Sequence, residues 1–85
     1  MPVSQMDVVE RIARVVAARM ASANAEGTLT SAADWVDANW RDFRDDAISV
    51  LKTLREPDPA MAAAGDVAHW ERMIEAALAE ADALS

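Results

Sequence analysis

The amino-acid sequence predicts an all-α protein: a compact bundle of three main helices with one or two short ones. Three observations carry that expectation. No run of alternating β-branched residues and no Asn-Gly or Asp-Gly hairpin turn occurs in the 85 residues. Apolar residues recur at helical spacing in three long stretches. Alanine, the residue of highest helix propensity, occurs 20 times. Hydrophobic residues make up 53% of the chain, which is too many for a disordered one, yet only 25 of them are larger than alanine. The three tryptophans must therefore supply much of the buried area, at roughly 150–250 Å² each. The length fits one domain over residues 1–85, with a stability on the order of 3–5 kcal/mol.

Ser4 and Asp7 resemble a capping box, with Asp in place of the usual Glu. The first helix then runs to about Ala25, with Val8, Val9, Ile12, Val15, Val16 and Met20 as its apolar stripe. Arg11 and Arg14 lie off that stripe, and Gly27 is a natural stop. Thr30 or Ser31 caps the next helix, where Asp34 suits the positive end of the dipole. Val36, Trp40, Phe43, Ala47, Val50 and Leu54 then form a heptad-like seam. That seam allows one helix from about Ala32 to Arg55. A break near Asn39 is favoured, because Asp37, Ala38 and Asn39 include no strong hydrophobe. Glu56-Pro57 ends the seam, since the residue before proline avoids the helical region. Asp58-Pro59 is an N-cap and N1 pair that opens a short helix to Ala64, closed by Gly65. Asp66 caps the last helix, with Val67, Trp70, Ile74, Ala77, Leu78, Ala81 and Leu84 on its inner face. Glu80, Asp82 and the terminal carboxylate oppose the helix dipole, so its end should fray.

The formal net charge of −7 should repel nucleic acid and anionic membranes and favour a basic protein surface. The charge is uneven: residues 1–25 carry +1, residues 26–66 carry −5 and residues 67–85 carry −3. With no cysteine, disulfides and thiolate chemistry are excluded. MPVSQMDVVE offers no basic n-region and no long apolar run, so neither a signal peptide nor a membrane span is expected, and the chain fits the cytoplasm.

Little in the chain points to catalysis. His69, the single histidine, has no cluster of metal-ligating partners and reads as an exposed polar residue beside Trp70. Ser4 and Ser31 are explained as caps, and no base is expected near the other serines. Two glycines cannot make a phosphate loop. No enzyme activity, metal or cofactor is expected.

The surface candidate is the acidic row Asp34, Asp37, Asp42, Asp45 and Asp46. On one continuous helix it would span about three turns, roughly 18 Å. Arg41 can pair with Asp37 and Asp45 at four-residue spacing, whereas Asp42 and Asp46 repel each other. The row is either a solvated helix face or a negative stripe that docks on a basic groove in place of a phosphate backbone. Glu56 and Asp58 can extend it. Trp35 lies one residue off the Val36 seam; it covers the bundle edge or stands exposed as a hot-spot anchor.

Leu54-Arg55-Glu56-Pro57, Ala60-Met61, Ala64-Gly65, Trp70, Met73-Ile74 and Ala76-Ala77-Leu78 together resemble a family of small phage and prophage proteins. Its members pair an L-R-E-P-x-x-A-M-x-x-A-G element with a W-x-x-M-I-x-A-A-L helix. The resemblance covers the C-terminal third to half of the chain, and Gly65 to Trp70 is shorter here than in that family. It implies a helical protein of phage or mobile-element origin and carries over no functional residues. In size, charge and helicity the chain is also similar to anti-CRISPR-type inhibitors. The expected function is accordingly protein binding in a host bacterial cytoplasm. The first form is an inhibitor whose acidic face occupies the basic nucleic-acid channel of a host defence complex. The alternative is a phage structural or assembly accessory protein that oligomerises or holds a partner through an apolar helix face.

Overall fold

A computed structural model describes residues 3–25 and 32–83. Among them the elements are α1 (Val8–Ala25), α2 (Ala32–Asn39), a 3₁₀ turn (Trp40–Phe43), α3 (Arg44–Leu54), α4 (Pro59–Ala64) and α5 (Val67–Ala83), with no strand. The all-α bundle expected from the sequence is the fold observed. Gly27, the Thr30 or Ser31 cap and Leu84 lie outside the described residues, as does the terminal carboxylate.

Asp7 itself caps α1. Its carboxylate accepts from the Glu10 backbone N–H at 2.8 Å, and its carbonyl accepts from Arg11 N–H at 3.1 Å. Ser4 instead closes a small turn ahead of the helix, accepting from Met6 N–H at 3.2 Å.

The inner face of α1 corrects the expected stripe. Val9, Ala13, Ala17 and Ala21 are buried, with Ala13 and Ala17 at 0% exposure. Val15, at 63%, faces water and Met20 is exposed as well. Residues four apart share one ridge of a helix, and here that ridge is made of methyl groups. α1 packs against α2, the 3₁₀ turn, α3 and α5. A low ridge lets those elements approach closely, so Val36, Trp40, Leu51 and Ile74 fill the space beside it. Ile12 packs at its edge.

The break near Asn39 is present. The Asn39 side-chain amide donates to the Trp35 carbonyl at 2.8 Å, competing with the helical ladder as Asn side chains do. Asn39 leaves helical geometry at φ −122°, ψ −7°, and Phe43 does so at φ −104°, ψ 8°. A 3₁₀ turn advances about 120° per residue where an α-helix advances about 100°. The apolar stripe of α3 is therefore re-phased to Ala47, Ile48 and Leu51. Val50 and Leu54, expected on the seam, are exposed.

α3 and α5 are joined at both ends. Arg44, in the first turn of α3, donates from Nη2 to the carbonyl of Ala81 near the end of α5. At the other end the Trp70 indole N–H donates to the Leu54 carbonyl at 2.6 Å. Ile74 and Ala81 are the buried residues of α5, with Trp70, Ala77 and Leu78 packed beside them. Val67, expected on that inner face, is exposed. α4 keeps the bounds expected of it, opened by the Asp58 carboxylate accepting from Met61 N–H at 2.9 Å. It buries none of its residues.

Two neighbouring substitutions separate the observed stripe from the expected one. Leu51→Ala should lower unfolding free energy by about 2–5 kcal/mol in urea titration. Val50→Ala should change it by no more than about 0.5 kcal/mol. Ala17→Leu should be destabilising by about 1–3 kcal/mol, because the ridge leaves no room for a larger side chain.

Candidate functional site

The break at Asn39 divides the acidic row among three elements. Asp34 and Asp37 stand on α2, Asp42 on the 3₁₀ turn, and Asp45 and Asp46 on the first turn of α3; all five are exposed. Asp37 is engaged: its carboxylate accepts from Arg14 Nη1 at 2.6 Å, while Arg14 Nε donates to Glu10 at 2.7 Å. These bonds, to Asp37 first and Glu10 second, raise the Arg14 pKa further above its ordinary value. Arg14 thereby ties α1 to α2.

Arg41 does not make the expected ion pairs with Asp37 and Asp45. Its guanidinium lies 4.7 Å from the Trp40 ring centroid, and Arg14 lies 5.5 Å from the same ring. The 3₁₀ turn removes the four-residue alignment that the pairing required. Among the described residues no ion pair reaches Asp42, Asp45 or Asp46. The carboxylates of Asp45 and Asp46 also favour the positive end of α3.

Trp35 covers the bundle edge. It is half-buried against the core, with its ring centroid 6.3 Å from that of Phe43 at 48°. It is therefore not an exposed anchor beside the acids. Glu56 and Asp58 are exposed too, but they lie beyond the far end of α3. The length of that helix, about 15 Å, separates them from Asp45 and Asp46, so the expected site residues fall into two groups.

The second group borders a surface that sequence reasoning left unassembled. Between α4 and the start of α5 lies an open hollow of about 400 Å³, whose apolar lining includes Pro57, Met61, Val67, Trp70 and Met73. Met73, at 66%, is exposed, as are Met61 and Val67. A second hollow of about 350 Å³ shares Pro57, Ala62 and Val67 with the first and adds Glu56, Asp58 and Glu71 to the lining. Asp66 and His69 stand on the rim of the first. The sequence offered little signal for this surface, because methionines such as Met61 and Met73 read as core gap fillers more readily than as a binding face.

No protein-family model matches the chain, and comparison with curated proteins and with solved structures gave no match. The site must be read from its own chemistry. Among the described residues no group of three or more His, Asp or Glu is arranged to hold a metal, and no helix is long and apolar enough to cross a membrane.

His69 is exposed, with Nδ1 3.4 Å from the Asp66 carboxylate. Asp66 caps α5 by accepting from the His69 backbone N–H at 3.0 Å. That bond first, and the His69 side chain second, hold the Asp66 pKa below its ordinary value of 3.8. A depressed carboxylate stabilises the fold above the ordinary value and loses that contribution as pH falls through the lower folded one. The His69 amide proton in NMR should therefore titrate with a midpoint below 3.8. Asp66→Ala should abolish that titration.

Proposed function

We propose that this chain works by binding another protein, without catalysis, and that the partner docks on the apolar end formed by α4 and the start of α5. One observation carries the reading: Met61, Val67 and Met73 expose large apolar side chains around a single hollow that Trp70 borders. Contiguous exposed apolar surface marks protein interaction sites, and tryptophan is enriched among their anchors. The role proposed is an accessory or assembly one in a bacterial cell infected by phage; the resemblance to small phage and prophage proteins bears on the phage origin alone.

A second reading is favoured by a different observation. Asp42, Asp45 and Asp46 stand exposed, with no described ion pair. They suit an inhibitor that sets a negative face against the basic nucleic-acid channel of a host defence complex. The pairing of Asp37 with Arg14 and the distance to Glu56 and Asp58 shorten that face, which ranks this reading second.

Affinity capture from bacterial lysate separates the two. For the apolar reading, a specific protein should stay on the wild-type bait at high salt, because apolar burial is not screened. It should be lost from Met61→Ser/Met73→Ser bait. For the acidic reading, capture should fail at high salt and with Asp45→Lys/Asp46→Lys bait, while the methionine variant still binds. A partner that ignores both pairs of substitutions would sink both.

A further inference from the structure

We infer that the occupant of the apolar end is a basic amphipathic helix, its apolar face lying on Met61, Val67, Trp70 and Met73 and its cations meeting the carboxylates of Glu56, Asp58, Asp66 and Glu71. The inference rests on the apolar-end reading above and adds the chemistry of the partner.

Three features lead to that occupant. The first is the joining of two mainly apolar hollows through Pro57, Ala62 and Val67, the second of them bordered by Glu56, Asp58 and Glu71. A ligand with an apolar side and a positive side complements both. The nearby cations do not offset the acids. Arg55 is held by Glu75 at 3.3 Å, and Arg72 lines neither hollow. His69 faces Asp66. Asp58 and Asp66 also cap helices, each accepting from a backbone N–H, and neither carboxylate is paired with an arginine or lysine among the described residues.

The second feature is the openness of the surface. Most of the residues around the hollow are exposed, with only Pro57 and Trp70 partly buried. Small-molecule pockets bury about 70–90% of their ligand, which this trough does not. A segment with one apolar and one wet side loses nothing by lying half in water. Among the described residues there is no strand, so no sheet edge is offered to an extended peptide, and an open apolar trough between two helices suits the helix-in-groove mode. Methionine side chains adapt to the varied apolar faces such helices present.

The third feature is charge. A second copy of this chain, at −7 overall, would bring the same four carboxylates to both sides of a two-fold interface. Like charges placed together at an interface are strongly unfavourable. A cationic helix reverses that term.

The test uses the full chain and three labelled peptides of equal length in fluorescence anisotropy. One is an amphipathic Leu/Lys helix, one has Glu in place of every Lys, and one is the Leu/Lys composition scrambled so that no apolar face forms. The Leu/Lys helix should bind at least ten-fold more tightly than either control. Met61→Ser/Met73→Ser should weaken it at least ten-fold, with helicity by circular dichroism unchanged because both side chains are exposed. Glu56→Lys/Glu71→Lys should weaken it by a similar factor and flatten its salt dependence. Asp45→Lys/Asp46→Lys should leave it within two-fold.

Equal binding of the Lys and Glu helices, lost in the methionine variant, would overturn the basic occupant while leaving the apolar docking reading intact. A dimer in sedimentation that Met73→Ser dissociates would make the occupant a second copy and likewise overturn the inference. Failure of every peptide to bind, with the chain monomeric, would overturn the basic helical occupant, while the docking reading stands or falls with the lysate capture.

Discussion

The low ridge of α1 is the constraint on which the other elements depend. Ala13 and Ala17 are fully buried and Ala21 nearly so. Together they let α2, the 3₁₀ turn, α3 and α5 converge on one helix. A chain with so few large apolar residues gains burial by bringing backbones together and lodging its few bulky side chains beside the contact. Trp40 is the clearest case. It is 9% exposed, and Arg14 and Arg41 lie over its ring, covering it with guanidinium instead of hydrocarbon. No polar side chain is buried among the described residues, so shape and not polar pairing specifies how the helices meet.

From that ridge the molecule divides into a closed part and an open one. α3 and α5 form an antiparallel pair held at both ends by side chains that reach a partner's carbonyl: Arg44 to Ala81 and Trp70 to Leu54. Helix C-termini leave carbonyls unsatisfied, and both bonds answer that need with a donor from the neighbouring helix. Trp70 marks the border. Its N–H secures the end of α3, while its ring borders the hollow that α4 leaves open. One side chain thus links the packing of the bundle to the surface proposed to bind.

Much of the fold was legible because its punctuation is local. Pro57, Asp58-Pro59, Gly65 and Asp66 each impose a backbone preference that needs no distant partner, and α4 and the start of α5 fall where those residues put them. The break near Asn39 was legible in another way, as a gap in the apolar pattern over Asp37, Ala38 and Asn39. The ridge of α1 was not legible. Alanine weighs little in an apolar pattern, so Val15 and Met20 outweighed Ala13 and Ala17 although they face water. The exchange of Val50 for Leu51 had another cause, since a pattern read at a constant period cannot register the extra rotation of a 3₁₀ turn. The candidate site was legible as a set of residues and not as an arrangement. Arg14 meets Asp37 across 23 positions, and the apolar end joins residues from α4 and α5 that each read as ordinary helix faces.

The absence of buried residues in α4 has a consequence for how the chain can change. Substitutions at exposed positions away from caps and ties shift stability by only about 0.5 kcal/mol. Most of α4 and the exposed first turns of α5 can therefore accept new side chains while the bundle behind them stays folded. Trp70 apart, a docking surface built there is uncoupled from the requirement to fold, and it can follow a partner whose own surface drifts. The alanine ridge has no such freedom, since larger residues clash there and glycine weakens the helix. The protein thus combines a scaffold that resists variation with an end at which new specificities can be tried.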